Sequence, residues 1–113
     1  MARPGKRADA AAEPGRLAAA GDGRFALSGD VGFADAARLL AQGDVEFAGL
    51  ERVEVDLARV ARIDSAGLAL LLEWSLAARD AGQALAYRNV PPALASLAGI
   101  SDVAELLAPV SGG

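Results

Sequence analysis

The sequence predicts a single α/β domain with a small, mixed, mostly parallel β-sheet, an N-terminal hairpin and about four helices. Segments with strand-like apolar patterns alternate with helical ones along most of the chain, which is typical of α/β domains. The length of 113 residues suits one domain with one modest core. Residues 1–15 mix Ala, Arg, Gly and Pro without periodicity. We therefore expect a disordered tail over 1–15, a domain over 16–108 and a flexible C-terminus over 109–113.

The first half of the chain contains a predicted hairpin, a helix and a strand. Residues 17–20 and 24–27 are short apolar segments on either side of Gly21-Asp22-Gly23, which predicts a β-hairpin. Residues 33–40 place apolar side chains at helical spacing, and Gly43 is predicted to end this helix. Residues 53–57 alternate apolar with acidic side chains, which predicts a strand with one face toward the core. The apolar positions of the helix are Phe33, Ala36, Ala37 and Leu40.

The second half contains the longest predicted helix, over 65–81, which Gly82 ends, and a strand over 84–90. Pro91 and Pro92 suit the first turn of a third helix over 93–98, because proline has a helical φ and needs no N–H partner there. A last helix is predicted from 101 or 102 to 107, before Pro109.

Composition excludes most catalytic chemistry. The chain has neither cysteine nor histidine, so thiolate nucleophiles, imidazole bases and the commonest metal ligands are absent. Its one lysine, Lys6, lies in the predicted tail, and no Gly-x-x-x-x-Gly-Lys-Ser/Thr loop is present for a nucleotide. Ser65 therefore has little support as a nucleophile. We expect a non-enzymatic protein without a metal or cofactor.

The charge distribution excludes two further classes of partner. From Leu17 onward seven basic residues face thirteen acidic ones, and such a surface is repelled by nucleic acids and anionic membranes. The longest wholly apolar run, residues 68–72, is too short to span a bilayer, so no direct membrane insertion is expected. We predict a cytoplasmic domain.

The helix over 65–81 carries more apolar residues than one core face needs. At about 100° per residue, Leu68, Leu72 and Leu76 fall among the polar positions of the helix. They lie in line with Ser65, the first residue of the helix. If they face water, they form a protein-binding surface; the alternative is that another element of the chain, such as the last helix, covers them. Periodicity alone leaves both open. The predicted core positions are Ala66, Leu70, Leu71, Trp74, Ala77, Ala78 and Ala81. The residues called here the Ser65 row are Ser65, Leu68, Ala69, Leu72 and Leu76.

The start of this helix admits several roles. Ser65 or Asp64 can be the N-cap, and Leu68 occupies the position where a capping box would have Glu or Gln. Phosphate on Ser65 would find donors at the helix N-terminus and would add about two negative charges beside the apolar row. Gly67 lacks a side chain beside the serine, which would let the backbone of a partner approach closely.

The segment VEVDLARVARIDSAGLALLLEWSLAARDAG, with RFALSGDV before it and ALAYRNVPPALASLAGISDVAELL after it, closely resembles a STAS domain. The resemblance runs from residue 17 to residue 107. The family's hallmark is a strand, an Asp-Ser/Thr-x-Gly turn and a long helix, and the turn is here Asp64, Ser65, Ala66 and Gly67. The resemblance implies a STAS domain that binds proteins and is not an enzyme.

Two branches of the family are similar to this chain. One is the STAS subunit of the bacterial Mla-type phospholipid transporter, which binds the ATPase subunit of that ABC complex on the cytoplasmic face of the inner membrane; LALLLEW and FALSGDV favour it. The other is the anti-sigma factor antagonist, in which a kinase that is also the anti-sigma factor phosphorylates the serine matching Ser65. The contact residues that the resemblance implies are Ser65, Ala66, Gly67, Leu68, Ala69 and Leu72, with Asp64 in the turn.

Overall fold

The computed structural model describes residues 13–92 and residue 94, and these form one sheet with two helices. The strands lie in the order β1-β2-β3-β4; β1 and β2 are antiparallel, and the other two pairs are parallel. A mixed α/β fold with an N-terminal hairpin is thereby confirmed. The elements are β1 (Arg16–Gly21), β2 (Arg24–Val31), α1 (Phe33–Glu46), β3 (Arg52–Ile63), α2 (Ser65–Asp80) and β4 (Ala84–Arg88).

The described part of the chain contains two helices, fewer than the roughly four that the sequence predicts. The other two predicted helices, over 93–98 and from 101 or 102 to 107, lie outside the described residues apart from Leu94. Leu94 is helical, and its N–H donates to the Pro91 carbonyl at 3.0 Å. Most of the predicted tail and the whole of 109–113 lie outside as well. Residues 13–15 run beside β2, where the Asp30 N–H donates to the Glu13 carbonyl at 2.9 Å.

The hairpin follows from its turn. Asp22 and Gly23 have φ values of 55° and 75°, so both central residues are left-handed. A two-residue loop of this kind matches the natural twist of two antiparallel strands, and Asp-Gly is a favoured sequence for it. Gly21 therefore pairs directly with Arg24, and Leu17 and Leu27 face the core from opposite strands.

Helix α1 is longer than predicted, because Gly43 does not end it. Gly43 is buried inside the helix, where an added Cβ would meet the indole nitrogen of Trp74 and lie 2.6 Å from its Cε2 atom. Glycine thus removes a side chain where α1 crosses α2, and the helix continues to Glu46, with Phe47 as C-cap.

Strand β3 is also longer than the predicted 53–57. β4 pairs with its first five residues, Arg52 to Asp56, while β2 pairs with it as far as Ile63. The last part of β3 therefore extends beyond β4 and carries the start of α2 with it. Pairing with the backbone of β2 maintains this extension, although its side chains do not alternate cleanly.

The core lies between the sheet and the two helices, which pack against each other. An aromatic series spans it: the ring centroids of Phe25 and Phe47 are 4.9 Å apart, and those of Phe47 and Trp74 are 5.2 Å apart, both edge to face. The Tyr87 hydroxyl on β4 donates to the Leu71 carbonyl at 2.7 Å, which ties the sheet to α2. Neither helix could cross a bilayer, since each is too short or too polar within the described part of the chain.

Candidate partner-binding site

Asp64 organises the start of α2. Its Oδ1 atom accepts a hydrogen bond from the Gly67 N–H at 3.0 Å, so Asp64, not Ser65, is the N-cap. Its Oδ2 atom accepts from the Phe33 N–H at 3.2 Å, at the start of α1. One carboxylate therefore satisfies donors at both helix N-termini. These N–H groups, Gly67 first, hold the pKa of the Asp64 carboxyl below its usual value.

Gly67 has an intramolecular reason to be glycine. It is buried, and an added Cβ would collide with the Val31 carbonyl oxygen at the end of β2 and lie 2.6 Å from Cγ1 of Ile63. The first turn of α2 thus rests directly on the backbone of β2. The space that the sequence interpretation gave to a partner's backbone is filled by the chain itself.

The surface around Ser65, at the start of α2, is exposed to solvent. Ser65 and Ala69 are exposed, and Ala66 is half-buried. Because Asp64 provides the cap, the side chain of Ser65 is not needed to cap the helix. The side chain of Ser65 is therefore exposed and free of a capping role, while its predicted roles in partner contact and phosphorylation stay predictions.

The leucines of the Ser65 row are partly covered. Leu68 and Leu72 are half-buried and pack against the edge of the core, whereas Leu76 is 42% exposed. Among the described residues the row is thus neither sealed nor fully exposed, and the last helix, which the sequence analysis named as a possible cover, lies outside them. The core holds the inner sides of Leu68 and Leu72, and the described residues leave their outer sides partly uncovered.

The buried face of α2 is narrower than predicted. Ala77 and Ala81 were predicted to lie in the core but are exposed, and Ala66 is half-buried. Gly67 takes part in the buried face because its missing side chain lets the helix approach β2. The buried residues of α2 are Gly67, Leu70, Leu71, Trp74 and Ala78.

The sequence analysis missed an exposed phenylalanine and a cleft beside the start of α2. Phe33 was predicted to lie on the apolar face of α1, but it is 86% exposed. It is the first residue of α1, where the side chain extends past the end of the core, and periodicity gives no sign of this. Phe33 and Ile63 line a cleft of about 480 Å³ between the starts of the two helices, called here the Phe33 cleft. Its other lining residues are Asp30, Val31, Gly32, Ala34, Asp35, Arg62 and Asp64.

This combination of a four-stranded mixed sheet, an Asp-capped helix with an exposed serine, and a glycine seated on the preceding strand defines an α/β domain of the STAS class. The family model described as "Mlab, STAS domain" matches residues 15–108. The chain therefore belongs to the STAS domain family. No curated protein matches the chain.

Solved structures share this fold. The anti-sigma factor antagonist SpoIIAA in its unphosphorylated form is 13% identical, with a TM-score of 0.59, over 77% of this chain and 83% of that one. The murine anion transporter Slc26a9 in its inward-facing state is 15% identical, with a TM-score of 0.60, over 81% of this chain but only 19% of that one. At these identities the likeness concerns the fold.

Proposed function

We propose that this chain is a non-catalytic binding subunit that docks, through the Ser65 row, on the ATPase of a bacterial lipid-transport ABC complex and supports its assembly and activity. The observation that carries the proposal is an exposed serine at the head of a half-uncovered leucine row, in a chain that matches the Mlab STAS model. The subunit would act in the cytoplasm and reach the inner membrane through this partner.

The surface has the physical properties of a contact site. Leu68 and Leu72 present apolar area that is held in place by the core, so little side-chain entropy is lost when they bind a partner. Exposed Ser65 and Ala69 are small, which lets a partner approach the helix closely. The area exposed here would form the centre of an interface, since apolar centres within polar rims are typical of protein contacts.

A catalytic role for Ser65 has no support in its surroundings. The neighbouring carboxylate of Asp64 is engaged by two backbone N–H groups, and the chain has no histidine to take the hydroxyl proton. The site can bind, and it can be modified, but it lacks a base.

Introducing charge into the row tests the proposal. Ala69→Glu places a carboxylate at an exposed position, so it leaves the fold intact, but it buries an unpaired charge once the ATPase docks. We expect affinity for the purified ATPase to fall about a hundredfold or more. The matched control is Ala77→Glu, an exposed alanine of the same helix about 12 Å further along.

The outcome that contradicts the proposal is wild-type affinity in Ala69→Glu by calorimetry, with Ala77→Glu also unchanged. Leu72→Glu should also abolish binding. Because Leu72 packs against the core, its thermal unfolding must be measured alongside.

A second function is favoured by the accessibility of Ser65 and by the likeness to the anti-sigma factor antagonist structure. As such an antagonist, the chain would bind an anti-sigma factor kinase and be released when Ser65 is phosphorylated. The phosphate would stand next to the Asp64 carboxylate and repel it. This alternative predicts phosphate on Ser65 after incubation with the kinase and ATP, and loss of the complex in Ser65→Glu.

A further inference from the structure

The Phe33 cleft is a surface depression with an aromatic side chain in its lining, and nothing in the described part of the chain covers it. Phe33 is the most exposed large apolar residue of the described part, at 86%. Phe33 lines the cleft together with Ile63 and with Val31 at the end of β2. Exposed aromatic side chains at the rim of a pocket are characteristic anchors of protein interfaces.

The cleft continues the proposed docking surface. The Phe33 N–H is hydrogen-bonded to Asp64, the residue immediately before Ser65. Only the Asp64 side chain therefore separates the Ser65 row from the cleft, and a partner bound to the row could contact both.

The lining of the cleft is unbalanced in charge. Three of the lining residues are aspartates, and Arg62 is the one cation among them. Asp35 is paired with Arg38 at 2.7 Å, and Asp64 accepts two backbone N–H groups. By contrast, the Oδ1 atom of Asp30 is shielded from solvent and accepts no hydrogen bond from the described residues. That atom is out of reach of a partner, but the lining as a whole carries more negative than positive charge, and this excess attracts a cationic side chain.

We propose that the Phe33 cleft receives a cationic side chain and an adjoining apolar residue from the ATPase subunit that docks on the Ser65 row, an inference that rests on the function proposed above. The cation lies over the face of Phe33 and toward Asp30, and the apolar neighbour contacts Ile63. Attraction between a cation and an aromatic face, together with ion pairing, makes this pairing specific.

A basic partner fits this surface better than a second copy of the chain. In a two-fold contact each copy presents the same patch to the other. The cleft aspartates would then face each other across the interface, and like charges in such positions oppose association.

Two pairs of matched variants test the inference by calorimetry with the purified ATPase subunit. Phe33→Ala removes the aromatic wall, and its control Val45→Ala shortens an apolar side chain that is 76% exposed further along α1. Asp30→Asn removes one of the three aspartate charges of the cleft, and its control Asp44→Asn removes one such charge from an exposed position outside the cleft. Thermal unfolding of all four variants verifies folding.

We expect Phe33→Ala to weaken binding about tenfold or more. Asp30→Asn should weaken it about fivefold and reduce its dependence on salt, while both controls stay within about twofold of wild type. Wild-type affinity in Phe33→Ala and Asp30→Asn, with Ala69→Glu still impaired, would overturn the cleft inference and leave the docking proposal in place. Failure of the wild-type chain to bind the ATPase would overturn both. If sedimentation shows a wild-type dimer that Phe33→Ala dissociates, the occupant is a second copy and the inference is wrong.

Discussion

Replacing Gly67 with alanine separates two explanations of this glycine. The added Cβ would meet the Val31 carbonyl oxygen and approach Cγ1 of Ile63 to 2.6 Å. Overpacking of this kind costs about 1–3 kcal/mol. The upper end applies here, because a strand carbonyl cannot rotate out of the way. Alanine regains about 1 kcal/mol of helix propensity. The net expectation is a loss of about 2 kcal/mol in the free energy of unfolding, or roughly 10 °C in Tm.

Equilibrium unfolding in urea and calorimetric melting of Gly67→Ala measure this loss. The control is Ala69→Gly, which makes the reverse exchange at an exposed position of the same helix and should cost only about 1 kcal/mol through propensity. Stability of Gly67→Ala at or above that of wild type would refute the packing argument. If that stable variant also failed to bind the ATPase, Gly67 would serve the partner, as the sequence interpretation suggested.

Two further substitutions probe the framework of the site. Tyr87→Phe removes the buried hydroxyl that donates to the Leu71 carbonyl, and urea unfolding should show a loss of about 1 kcal/mol. Asp64→Asn keeps an acceptor for the Gly67 N–H but not the second one for Phe33. Because the pKa of Asp64 is lowered in the folded state, its carboxylate stabilises the fold above the unfolded pKa, and this contribution is lost on acidification. The gap in Tm between wild type and Asp64→Asn should therefore narrow as the pH falls below about 4; a gap that stays constant to pH 2.5 would contradict this role.

The parts of the fold that the sequence predicted correctly depend on local signals. The hairpin follows from Asp22-Gly23, whose left-handed conformation is intrinsic to those residue types, and α2 follows from its long apolar periodicity. The family turn over Asp64 and Ser65 was found for the same reason, because its residues are contiguous.

The parts that were missed depend on contacts between distant residues. Gly43 looks like a helix end until Trp74 is placed against it, and the extension of β3 exists only through pairing with β2. Phe33 has the spacing of a core residue, but its position at the tip of α1 places it beyond the core. Periodicity assigns a face of a helix and not how far the core extends along it.

One hydrogen bond of Asp64 reaches Phe33, 31 positions earlier in the chain, and the other reaches Gly67, so this carboxylate links the first turns of α1 and α2. A displacement of one of these turns would therefore be transmitted to the other through the Asp64 carboxylate. For a partner bound at Phe33, modification of Ser65 would change the position of the first turn of α1 as well as the local charge. Through Asp64, a modification of Ser65 would then affect both proposed contact regions, the Ser65 row and the Phe33 cleft.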